Sequence, residues 1–193
     1  MIPATRPRLV ALGIAASTGG PPALSAILSA LSKTFPLPIL VAQHLGDGFA
    51  AGFHKMLAGV SSLPVSVATG GAPCLPGRVY LAPEGRDLCV VLGERGLVLH
   101  TPPAQGPHRP SADALFSSLA DALGPRAAGL LLTGMGDDGA AGLLKLLRAG
   151  GRTLAQDEST AAVFGMPKAA RDLGAAEEFV PLKQLAARLT ELT

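Results

Sequence analysis

Three short segments carry side chains suited to nucleophilic chemistry. In Ser17-Thr18-Gly19-Gly20 a hydroxyl follows an apolar run and precedes a glycine pair. In Val41-Ala42-Gln43-His44-Leu45-Gly46 a histidine ends another apolar run. In Thr133-Gly134-Met135-Gly136-Asp137-Asp138-Gly139 two carboxylates stand among three glycines. A serine becomes a nucleophile when a neighbouring base takes its proton. Histidine is the usual base near neutral pH. A carboxylate that holds the imidazole and stabilises the imidazolium completes a triad. Glycines leave backbone amides accessible, and amides near a helix N-terminus can stabilise an oxyanion.

A structural reading competes at each place. Serine and aspartate are common helix caps, and a histidine at a strand end can simply be hydrogen-bonded. The first segment is not the G-x-S-x-G elbow, because Ala15 stands where its first glycine would be. Of the remaining histidines, His54 suits a helix face and His100 a strand end. His108, in Pro107-His108-Arg109-Pro110-Ser111, lies in a loop from which it can touch a substrate.

The third segment also matches G-x-G-x-x-G. Asp157 and Glu158 follow about 20 residues on, as a dinucleotide site requires. The objection is charge: Asp137 and Asp138 stand where a pyrophosphate would dock. The fingerprint also opens a nucleotide-binding half, whereas here it comes late in the chain.

These segments must be positioned by the elements around them. Apolar runs predict strands at 9–15, 39–43 and 128–133. Helices are predicted at 23–31, where Pro21 and Pro22 suit the start, and around 49–57. Further helices are expected at 111–123 with Ser111 as N-cap, at 138–149 ended by Gly150-Gly151, near 167–172 and at 183–189. Strands at 152–155 and 178–180 complete the later half. Between them, short strand candidates at 65–68, 79–82, 88–91 and 97–100 are separated by glycine and proline. No helix fits between those four, which suggests antiparallel pairs at a sheet edge. The expected fold class is α/β: a doubly wound, mainly parallel sheet with helices on both faces and an antiparallel edge segment, in three layers. Ligands in such folds bind beyond the carboxyl ends of the strands. Ser17, His44 and the 134–139 segment all fall there.

Composition narrows the function class. The 193 residues suit one domain with a substantial core. Hydrophobic residues at 48% and charged ones at 16% exclude a disordered chain. A net charge of +2 with scattered basic residues leaves no footprint for nucleic acid or an anionic membrane. Aromatics at 4% are too few for stacking single strands. Cys74 and Cys89 form no CxxC and read as two small apolar residues. The four histidines lack metal-ligand spacing, so no metal is expected. Arg6 and Arg8 before an apolar run imitate a secretory signal. A buried first strand is preferred, because cleavage near Ala16 would discard the strand on which the next helix packs. No stretch reaches the ~20 apolar residues that span a bilayer.

Taken in order, these blocks resemble the catalytic domain of bacterial chemotaxis protein-glutamate methylesterases, the CheB family. The resemblance is carried by Ala16-Ser17-Thr18-Gly19-Gly20, Gln43-His44, His108-Arg109-Pro110-Ser111, and Leu132-Thr133-Gly134-Met135-Gly136-Asp137-Asp138-Gly139-Ala140-Ala141-Gly142. It continues in Ala155-Gln156-Asp157-Glu158 and Phe164-Gly165-Met166-Pro167. It implies Ser17 as nucleophile, His44 as base and Asp138 as the acid that orients the base. The amide of Met135 is implied as an oxyanion donor, with Thr18 and His108 lining the site and Arg109 near substrate. It implies hydrolysis of glutamyl methyl esters on a chemoreceptor cytoplasmic domain, without a cofactor, in the cytoplasm, with deamidation of receptor glutamines as a related activity. Another ester substrate, or a non-catalytic receptor-binding role, is compatible with the same scaffold.

Two departures stand out. Asp137 replaces a common asparagine, which leaves the choice between Asp137 and Asp138 open. Leu45-Gly46-Asp47-Gly48 lacks the proline often found after the histidine. The chain is expected to be a single catalytic domain over 1–193, with no receiver domain before Ser17.

Overall fold

The computed structural model describes residues 7–193, so Arg6 of the signal-like segment lies outside them. Nine strands and six helices follow in the order β1 (Ala11–Ala16), α1 (Gly20–Ala30), β2 (Ile39–Gln43), α2 (Ala50–Val60), β3 (Val65–Val67), β4 (Val79–Leu81), β5 (Cys89–Gly93), β6 (Gly96–His100), α3 (Ala112–Leu123), β7 (Ala127–Leu131), α4 (Ala140–Arg148), β8 (Arg152–Gln156), α5 (Met166–Asp172), β9 (Glu178–Val180) and α6 (Leu182–Glu191). Seven strands form one sheet in the order β3-β4-β2-β1-β7-β8-β9, and every pairing in it is parallel.

The strand residues alternate between two cores. Leu12, Ile14, Ile39, Val41, Leu130 and Leu154 face one side, where Leu24, Ile27 and Leu28 of α1, Leu57 of α2 and Leu185 of α6 cover them. Ala11, Ala15, Leu40, Ala42 and Leu131 face the other, under Leu115, Phe116 and Leu119 of α3 and Leu143 and Leu146 of α4. A strand buried on both faces must be apolar at every position, which is why the runs at β1, β2 and β7 were readable as strands.

The three-layer α/β class is as expected, and an antiparallel pair is present, but it consists of β5 and β6 alone. These two strands form a separate two-stranded sheet. β3 and β4, expected among antiparallel pairs, instead extend the main sheet in parallel. A parallel connection needs a crossover of about a dozen residues, usually a helix. Here residues 68–78 cross without one. Their backbone is satisfied by the edge of β6, through Gly71 N to Leu99 O, Cys74 N to Leu97 O and Leu99 N to Ala72 O at 2.8–2.9 Å. Leu88, Val90, Leu97 and Leu99 of the hairpin region then bury against Leu40 and Tyr80, filling the place a crossover helix would take.

The chain runs from β1 to β2 on one side and returns to β7 on the other. The strand order therefore reverses between β1 and β7, and the crevice beyond their carboxyl ends is the switch point of the fold. The turns after β1, β2 and β7 meet there.

Candidate active site

Ser17 follows the last residue of β1 and is pinned by its own backbone. Its amide donates to Thr133 O at 3.0 Å, and its carbonyl accepts from Gly20 N at 2.8 Å. β1 and β2 pair Ala16 with Gln43, so the register carries residue 17 beside residue 44. His44 N donates to Ala16 O at 3.0 Å. The capping explanation for Ser17 does not hold: the N-cap of α1 is Gly19, in the left-handed conformation, with no side-chain cap. Among the described residues the Ser17 hydroxyl makes no hydrogen bond, to His44 or to any other group.

His44 and Asp138 meet. Nε2 of His44 lies 2.7 Å from Oδ2 of Asp138, with side chains 15% and 4% exposed. Asp138 does not cap α4, whose N-cap is Gly139. It caps α3 across the cleft. Ala112 N donates to Oδ2 at 2.7 Å, Asp113 N to Oδ1 at 3.0 Å, and Ser111 Oγ to Oδ1 at 3.2 Å. Asp113, from the first turn of α3, returns the favour: Gly142 N of α4 donates to its Oδ1 at 2.6 Å. Asp138 and Asp113 thus each accept amides from the first turn of the facing helix, which locks the Asp138 loop to the start of α3.

These contacts set the charge of Asp138. Burial pushes its carboxyl up, but the His44 hydrogen bond and the amides of Ala112 and Asp113 outweigh burial and hold it below the usual carboxylate range. An ionised Asp138 accepts, so Nε2 of His44 carries the hydrogen and Nδ1 is left with a free lone pair. Asp113 and Asp87 go the other way. Burial raises both, the charge of Asp138 adds to it, and amide donors from Gly142 and Ser111 respectively oppose it.

Asp137, the alternative acid, is exposed, and its backbone carbonyl accepts Ala140 N. The sequence left the two aspartates open; the geometry gives the histidine contact to Asp138.

His108 stacks on His44, with ring centroids 5.1 Å apart and planes 15° from parallel. Arg109 is exposed and borders an open recess of about 370 Å³ with His44, Leu45, Asp47 and His108. Thr18 is exposed at the turn and Met135 is 74% exposed on the opposite wall. Neither backbone amide has an acceptor among the described residues. The first turn of α1 offers fewer donors than expected. Gly20 N is taken by Ser17 O, and Pro21 and Pro22 have none, so on this side of the site an oxyanion donor comes from the turn before the helix. Gly134 is needed here because a Cβ would lie 2.7 Å from that of Ser17 and would overlap the sulfur of buried Met166.

His44, His108 and Asp138 offer ligand atoms within 4.8 Å of one another. Stacked rings aim their lone pairs along parallel planes, and both Asp138 oxygens already accept backbone amides. The set suits proton transfer better than a metal. Asp157, expected near a ribose in the dinucleotide reading, instead closes its own turn through Ser159 and Thr160. Cys74 and Cys89 are buried, and burial pushes their thiols up to about 12 and about 11.

Residues 12–189 match the family described as CheB methylesterase. The chain belongs to the CheB methylesterase family. It is 47% identical over 183 residues to a Myxococcus xanthus protein named protein-glutamate methylesterase/protein-glutamine glutaminase 3, covering 95% of this chain and 51% of that protein. An Anaeromyxobacter dehalogenans protein named protein-glutamate methylesterase/protein-glutamine glutaminase 2 is 49% identical over 191 residues, covering 99% and 55%. The chain therefore spans about half the length of the curated relatives it matches. The crystal structure of the Thermotoga maritima CheB methylesterase catalytic domain superposes with a TM-score of 0.92 at 33% identity, covering 97% of this chain and all of that one. The matched residues include the Gly134–Gly139 segment.

Sequence reasoning missed the stack of His108 on His44 and the use of the α3 N-terminus as the seat of Asp138. Ser111 was legible as an N-cap, but nothing local says that the free amides after it reach a residue 26 positions away.

Proposed function

We propose that the chain is a serine hydrolase that removes methyl esters from glutamyl side chains of chemoreceptor cytoplasmic domains. The observation that carries this reading is the contact of His44 with buried Asp138 at 2.7 Å beside Ser17, in a chain of the CheB methylesterase family. In the first step Nδ1 of His44 takes the Ser17 proton as Oγ attacks the ester carbonyl. Asp138 stabilises the imidazolium, and the amides of Thr18 and Met135 serve the oxyanion. Collapse expels methoxide, which takes the proton from His44 and leaves as methanol. Water then attacks the acyl-enzyme with His44 again as base, releasing a glutamate carboxylate and restoring Ser17.

Arg109 and His108 border the recess where the acyl side of a substrate would lie. The reading requires no cofactor and places the enzyme in the cytoplasm, where such receptor domains are found; no helix among the described residues is long and apolar enough to cross a membrane. Deamidation of receptor glutamines is a second reading, favoured by the glutaminase activity in the relatives' names. The test is methanol release from methylated chemoreceptor membranes by the parent and by Ser17→Ala. Release by the parent alone supports the reading. Release by both rejects Ser17, and release by neither rejects the substrate.

A further inference from the structure

We infer that Gln43 is a positioning residue that clamps the nucleophile and the base to each other. It is the last residue of β2 and is 4% exposed. Its Nε2 donates to two carbonyls at once, Ser17 O at 2.9 Å and His44 O at 2.9 Å. Only the NH₂ end of the amide can face two acceptors, so the orientation follows from the contacts. One side chain thus holds the backbone of both residues whose spacing governs the first proton transfer.

The other end of the amide supports the same reading. Oε1 is buried and no protein donor reaches it. It lies against the α carbon of Gly20, inside the space a Cβ there would occupy. A residue chosen only to fill this space would be apolar, since a buried acceptor without a donor is unfavourable. An apolar side chain of the same length fills the space but cannot hold the two carbonyls.

A second buried glutamine completes a belt under the site. Gln156, at the end of β8, accepts Thr133 N at 2.9 Å and donates to Thr160 O at 2.9 Å. Thr133 Oγ1 in turn donates to Thr18 O at 2.9 Å. The carbonyls of Ser17 and Thr18 are therefore tied from opposite sides, by Gln43 and by Thr133. Of these ties, only that from Gln43 also reaches the base.

The kinetic test rests on the methylesterase reading. Gln43→Met keeps the length and removes the donors. It is expected to lower kcat about 10–100-fold, since misplacement by about 1 Å can cost ~10²-fold, with KM within about twofold and little change in melting temperature, because removal of the unpaired Oε1 offsets the two lost hydrogen bonds. Turnover within about threefold of the parent, or a loss of activity that only follows unfolding, overturns the clamp. Gln43→Glu is the second variant. A carboxylate faces the two carbonyls with no donor, whereas its protonated form regains one. Its deficit relative to the parent is expected to shrink as the pH is lowered from 8 to 6, and a pH-independent ratio overturns the proposal. If the parent releases no methanol above the Ser17→Ala blank, the substrate reading has failed separately. The clamp is then judged by the proton resonance of His44 Nε2–H in the resting protein: displacement or broadening in Gln43→Met supports it, and an unchanged signal overturns it.

Discussion

Replacing Asp138 by asparagine tests the core of the proposed mechanism. Asp138 accepts four hydrogen bonds, from His44 Nε2, Ala112 N, Asp113 N and Ser111 Oγ. An asparagine has one oxygen and one NH₂. With the oxygen toward His44 and Ala112, the NH₂ opposes the amide of Asp113. With the NH₂ toward His44, two donors collide unless the ring changes tautomer, and Nδ1 then carries the hydrogen and cannot act as base. In both cases the negative charge that stabilises the imidazolium is gone. The corresponding asparagine in a serine protease triad lowers kcat by about 10⁴. A fall of about 10³–10⁴ in kcat for methanol release is therefore expected, with KM little changed. Asp137→Asn, on an exposed side chain, should stay within about threefold of the parent. A loss of less than tenfold in Asp138→Asn, or an equal loss in Asp137→Asn, would refute the reasoning. Stability gives a second reading. The carboxyl of Asp138 is held below its ordinary value, so its contribution is present above the unfolded pKa of about 3.9 and lost as the pH falls through the folded value. The difference in melting temperature between parent and Asp138→Asn should be largest near neutrality and should vanish in strong acid.

Other outcomes follow from single contacts. His108→Ala removes the ring stacked on His44 and should lower kcat/KM about 3–10-fold, given the ~0.5–1.5 kcal/mol of a stacked pair, whereas His108→Phe should keep most of the rate; equal losses in both would show that the imidazole and not the stack matters. Asp87 has a raised carboxyl pKa, so its charge is unfavourable in the fold above that value. Asp87→Asn keeps an acceptor for Ser111 N, so the variant should melt above the parent at pH 7, with the gain lost below the unfolded pKa of about 3.9; a gain that persists in acid contradicts the assignment. Gly134→Ala should destabilise by about 1–3 kcal/mol through overlap with Ser17 and Met166, read as a lower midpoint in urea, and should also lower turnover. Excess chelator should leave methanol release within about twofold of the untreated rate; a larger loss would put a metal among His44, His108 and Asp138 after all.

Much of this molecule is legible in its sequence, for one reason: strands buried on both faces must be apolar, and glycine, proline and capping residues punctuate them. β2 and β9 fall at the expected residues, α3 begins at its Ser111 cap, and Ser17, His44 and Asp138 sit beyond strand ends as the α/β pattern requires. What the sequence could not specify depends on through-space partners. Residues 65–67 and 79–81 carry the same short apolar pattern whether they pair in parallel or not; the edge of β6, which satisfies the 68–78 crossover, decided it. Asp137 and Asp138 are chemically identical neighbours, and only the facing amides of α3 select which one is buried against the histidine. Gln43 reads from sequence as the polar end of a strand; its two carbonyl partners lie 26 residues and one residue away, and the first is brought near only by the parallel register of β1 and β2. Local pattern thus determined the elements and the residue types at their ends. Tertiary structure decided which donors meet which acceptors, because a hydrogen bond is set by distance and direction in space and neither is encoded by position along the chain.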